Sequence, residues 1–147
     1  MDCSIEDICG QVIEFDNCIR FAGFATNAGN IVACKYRKDA IPLLTLDETQ
    51  VAFIDSALMM RIREAREPKL GKVICSIVLY EKVTYATILV NSEDYPILMV
   101  SFDKTNKRTD HESLILHGIL PLLSHYFTET GTINLIVMLM ILVFGFY

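Results

Sequence analysis

Apolar residues recur along this chain in two rhythms, and the changes between them mark out the elements. Ile5, Ile8, Cys9, Val12 and Phe15 fall three and four apart, the spacing that gathers side chains on one face of an α-helix. Ser4 ahead of them, with Asp7 in the first turn, supplies an N-cap and an acid where the helix dipole favours one. A first helix is therefore predicted over Ile5–Phe15. From Cys18 to Thr26 the apolar residues are β-formers and predict a first strand. Asn27 to Asn30 holds the Asn and Gly that tolerate the positive φ of a tight turn. Ile31–Cys34, running on to Tyr36, predicts the second strand.

Thr45-Leu46-Asp47-Glu48 has the spacing of a capping box and opens a long second helix. It carries to Arg66, where Pro68 and Gly71 end it. Three short β-like runs follow: Val73–Leu79, Val83–Val90 and Tyr95–Phe102, separated by Glu81-Lys82 and by Asn91-Ser92-Glu93-Asp94. Pro96 fits the start of its strand. Asp110 caps a third helix with apolar Leu114, Ile115, Ile119, Leu122, Leu123 and Tyr126, and Pro121 should kink or end it. The order α-β-β-α-β-β-β-α with hairpin-length connections gives a five-stranded antiparallel sheet, α+β in class, with helices on both faces in an α/β/α sandwich.

Helix 2 has two apolar sides. Val51, Ile54, Leu58 and Ile62 share one stripe, which is expected to face the sheet. Phe53, Ala57 and Met60 lie nearly opposite. A helix on a sheet needs one stripe, so the second asks for a partner: a neighbouring helix, a second copy of the chain, or another protein. The third strand bears on this. Val73 to Leu79 carries no charge and no proline; at a sheet edge it would lack protection against edge pairing. Pairing with its own copy in a two-fold dimer would cover it. The expected interface is Phe53, Ala57 and Met60 with Ile74, Ser76 and Val78.

Length adds that 147 residues form one domain with a core of its own. A net charge of −5 argues against nucleic acid, which needs a basic surface. The acidic start, without an apolar signal segment, and five cysteines with no Cys-x-x-Cys pair suggest a reducing cytoplasm and free thiols.

Catalytic motifs are missing. There is no Walker loop, no Gly-x-Gly-x-x-Gly and no Gly-x-Ser-x-Gly elbow. His111 and His117 are six apart, which turns them to different sides of a helix, and His125 lies beyond Pro121. No metal or cofactor is expected, and no enzyme activity. Lys35, Arg37 and Lys38 around Tyr36, and Lys104, Lys107 and Arg108, form two small basic patches that read as solvated surface or as contacts to anionic lipid. Cys34 and Cys75 could be brought together only by a sheet the sequence cannot lay out.

The last 15 residues, Ile133–Tyr147, carry no charge. As a helix they would be about 22 Å long, short of a hydrocarbon core of roughly 30 Å. Three readings stand open: a short membrane anchor, a segment buried on the domain or in a dimer, or a gene end without a selected role. The expected division is a domain over residues 1–127, a linker over 128–132 and the tail over 133–147.

Phe21-Ala22-Gly23-Phe24 leading into a glycine turn, and Leu43-Leu44-Thr45 before helix 2, together with the element order, resemble the roadblock/dynein-light-chain domain, a profilin-like sandwich. Ile19 to Gly23, Pro42-Leu43-Leu44 and Lys69-Leu70-Gly71 also look similar to an uncharacterised family of small archaeal proteins. The roadblock resemblance implies dimerisation through the second helix and third strand, and a role as an adaptor for a small Ras-like GTPase or other signalling partner. The alternative is a small-molecule sensor of the PAS type, with its pocket between helix and sheet.

Overall fold

The computed structural model describes residues 4–104 and 110–127. Its elements run α1 (Ile5–Phe15), β1 (Ile19–Ala25), β2 (Ile31–Tyr36), α2 (Leu46–Glu64), α3 (Glu67–Leu70), β3 (Cys75–Leu79), β4 (Val83–Leu89), β5 (Ile97–Asp103), α4 (His111–Leu114) and α5 (Leu120–Ser124), with a π-helical turn at Ile115–Ile119 between the last two. The strands form one antiparallel sheet in the order β2-β1-β5-β4-β3. β2 and β3 are its edges, which puts Cys34 and Cys75 at opposite sides of the molecule.

Both long helices start as their sequences dictate. The Ser4 hydroxyl accepts from the Asp7 amide while the Asp7 carboxylate accepts from the Ser4 amide. Thr45 and Glu48 do the same at 3.1 and 3.0 Å. Each box satisfies two amides that have no partner inside the helix.

On one face of the sheet, α1 and the C-terminal helical run bury Val12, Phe24, Val100, Phe102, Ile115 and Ile119. On the other, α2 alone packs Phe53 and Ala57 onto Phe21 and Ala25 of β1 and Ile97 and Met99 of β5. The α/β/α sandwich read from the sequence is present.

Three details differ from the sequence reading. Helix 2 stops at Glu64, and the Pro68 segment makes a short helix of its own, with proline in the first turn where its missing N–H costs nothing. Pro121 does not end the last helical run; the turn before it widens, with the Leu120 amide donating to the Ile115 carbonyl five residues back. A π turn is one way to relieve the crowding a proline ring imposes on the preceding carbonyls. Gly118 in that turn lies against Phe15: a Cβ there would come within 2.3 Å of the ring.

The third difference matters most. The two stripes of α2 are exchanged. Phe53, Ala57 and Met60 are buried against the sheet, and Val51, Ile54, Leu58 and Ile62 are exposed. The cause lies at Gly23 of β1, where a Cβ would stand 2.8 Å from the tip of Phe53. The bare glycine opens a hole in the sheet surface, and the one aromatic ring on α2 fills it. Three of the six expected interface residues are therefore core.

Candidate interaction surface

Because α2 sits over β1 and β5, it leaves the β3–β4 end of that face uncovered. A groove of about 750 Å³ results. Met59, Met60 and Arg63 of α2 form one wall, Ser76 and Val78 of β3 the other, and Tyr85, Thr87 and Met99 lie between them. Leu43, Leu44, Tyr80 and Lys82 close one end. The floor is tied to the helix by the Thr87 hydroxyl, 3.3 Å from that of Ser56.

The expected strand residues fall here. Ser76 and Val78 face the groove, and Ile74, one residue before β3, is exposed. On α2 the exposed apolar residue that lines this groove is Met59, 43% exposed, while Val51, Ile54, Leu58 and Ile62 lie further round the helix. An uncovered apolar helix face and an unpaired strand edge thus lie side by side. The sequence pattern turns Phe53, Ala57 and Met60 outward, and the structure buries them. A glycine in β1 together with a lone phenylalanine on α2 was the available signal.

The loop that feeds α2 is held by charge. Asp103 at the end of β5 accepts from Arg20 at 2.7 Å and from Arg37 at 2.8 Å. Arg37 also meets Asp39 at 2.6 Å, and Arg20 donates to the Ile41 carbonyl at 2.7 Å. Burial pushes the Asp103 pKa up, but the two guanidinium groups outweigh it and hold the carboxyl below its ordinary range. Arg37 is committed to these pairs, which takes it out of the basic patch predicted around Tyr36. Lys107 and Arg108 lie outside the described residues.

Burial pushes the thiols of Cys9 and Cys18 up to about 12, with Asp16 adding to the shift at Cys18, so neither is a thiolate near neutral pH. Cys34 and Cys75 are raised as well, chiefly by burial. His111 stacks on Phe102 on the far side of the sheet, with its Nε2 buried and without a hydrogen-bond partner among the described residues. Burial lowers its pKa, against the pull of Asp110 and Asp16. Among the described residues no cluster of His, Cys, Asp and Glu is placed to hold a metal. No helix among them is long and apolar enough to cross a membrane.

A five-stranded antiparallel sheet with one long helix on one face and the terminal helices on the other is the fold of the Roadblock/LC7 domain. The gliding protein MglB from Thermus thermophilus superposes with a TM-score of 0.63 at 16% identity, over 84% of this chain and 88% of that one. A Roadblock/LC7 domain from Streptomyces avermitilis gives 0.62 at 10%, over 84% and 94%. MglB of Myxococcus xanthus gives 0.60 at 15%, over 84% and 94%. No protein-family model matches the sequence, and no curated protein does.

Proposed function

We propose that this chain is a dimeric, non-enzymatic regulatory adaptor, with residues 1–127 as its working domain and a small Ras-like GTPase or comparable signalling protein as its partner. One observation carries the dimer. The side of α2 that carries Ala52 and exposed Met59 and the open edge of β3 flank one apolar groove, and a second copy brings both elements needed to cover it. An edge strand without charge or proline invites pairing, and a two-fold dimer satisfies both edges at once. The adaptor role rests on the shared Roadblock fold and on the sequence resemblance.

The test is light scattering on the full chain with and without Met59→Glu. Wild type should have the mass of a dimer and the variant that of a monomer with an unchanged circular dichroism spectrum, because residue 59 is solvent-exposed in the single chain. A monomer in both forms would contradict the adaptor reading. It would favour the small-molecule sensor, whose pocket between helix and sheet has its counterpart in the groove.

Residues 133–147 lie outside the described residues. We assign them, beyond a linker at 128–132, to attachment at the cytoplasmic side of a membrane, on the strength of their uncharged composition. The full chain should sediment with neutral phosphatidylcholine vesicles, and a chain ending at residue 132 should stay in the supernatant. Equal partition of the two would contradict the anchor.

A further inference from the structure

The dimer reading does not say how the two helices are aligned, but the charges along the groove do. Ala52, Asp55, Met59 and Arg63 line the side of α2 that faces it. Asp55 lies four residues before Met59 and Arg63 four after. At 1.5 Å per residue the two charges stand about 12 Å apart along the axis, too far to pair within one helix. Among the described residues neither makes an ion pair. Arg63 is already half-buried, whereas Asp55 is exposed.

A two-fold axis through Met59 reverses the second helix. It sets Asp55 of each copy against Arg63 of the other, twice, with the methionines at the centre. Parallel helices would set Asp55 beside Asp55 and Arg63 beside Arg63. A slip of one turn would set Asp55 opposite Met59 and close the groove over unpaired charges, which is the costly case. Only one alignment pairs all four charges.

We infer that Asp55 and Arg63 determine which helix α2 accepts: one running the opposite way, with an acid and a base eight residues apart around an apolar centre. Its own copy meets that description. This inference rests on the dimer reading and adds to it the register and the basis of partner choice. Opposed charges across an interface act mainly by excluding wrong partners.

The experiment uses the full chain and sedimentation. Asp55→Arg alone and Arg63→Asp alone should each weaken self-association by about tenfold or more, because each creates two like-charge contacts. The double variant should return to the wild-type value. An equimolar mixture of the two single variants should also dimerise, since the arginine introduced at 55 then meets the aspartate introduced at 63. Circular dichroism spectra close to wild type for both singles would establish that the fold is intact. A dimeric wild type whose single variants associate normally, or whose mixture stays monomeric, would overturn the register and leave the dimer standing. A monomeric wild type would overturn both.

Discussion

Phe53→Ala should cost about 3–5 kcal/mol of unfolding free energy, the range for removing a fully buried aromatic ring. The ring is 0% exposed, sits over Gly23, and makes an edge contact with Phe21 at a centroid distance of 6.2 Å. Removing it leaves a cavity that β1 cannot collapse to fill, because Gly23 has no side chain to move. At roughly 2–4 °C per kcal/mol for a chain of this size, the melting temperature should fall by about 10 °C. Denaturant unfolding at a fixed protein concentration is the measurement, since association itself stabilises. A loss below about 1 kcal/mol, far under the buried-ring range, would return Phe53 to the surface, where the hydrophobic pattern alone had placed it. Met59→Glu, one position from buried Met60, should cost only the stabilisation that association supplies, a loss that vanishes as wild type is diluted to monomer, and the contrast separates the two sides of the helix.

Gly29→Val should be the second severe change. Gly29 closes the β1–β2 turn with φ +88°, a conformation that β-branched residues rarely adopt. A Cβ there would lie 2.6 Å from the Ile54 Cα and 2.9 Å from the Phe53 carbonyl oxygen, both backbone atoms of α2. The helix would have to move as a body. Its present seat is fixed by Gln50, whose side-chain amide donates to the Gly29 carbonyl at 2.6 Å. Strain and overpacking together make a cost of about 3 kcal/mol or more. Gly71→Ala is the control. Its φ is +83° but nothing lies within 4 Å of the added Cβ, so only the backbone strain of about 1–3 kcal/mol applies, without the clash. Equal losses at the two sites would contradict the packing of the turn under α2.

Gly23 and Gly29 show where the sequence was legible and where it was not. The turn at Asn27–Asn30 was readable because its chemistry is local. So were both capping boxes, and the strands came within about two residues of their observed limits, because their signals lie in neighbouring residues. The side on which α2 packs is not a local property. Apolar residues are spread around the whole helix, so periodicity offers two candidate stripes and no means of choosing. The choice is made by Gly23, far earlier in the chain, through a hole that exists only once the sheet has formed. Likewise, the Arg37 that looked like part of a surface patch is claimed by Asp103 across the sheet, a pairing of residues 66 apart. The candidate site was therefore half visible: β3 as an edge with Ser76 and Val78, but not the helix face beside it.

A single chain of causes runs through the molecule. Gly23 seats Phe53, Phe53 turns Val51, Leu58 and Ile62 outward, and the offset of α2 toward β1 leaves β3 and the groove uncovered. The adaptor reading depends on a second copy covering that region. The most direct measurement is amide hydrogen exchange across Cys75–Leu79 of β3, followed as the full chain is diluted through its association range and repeated with Met59→Glu. The amides pointing away from β4 should be protected in the dimer and exchange freely on dilution or in the variant. Strong dimerisation with those amides unprotected throughout would place the interface elsewhere and contradict the proposed dimer.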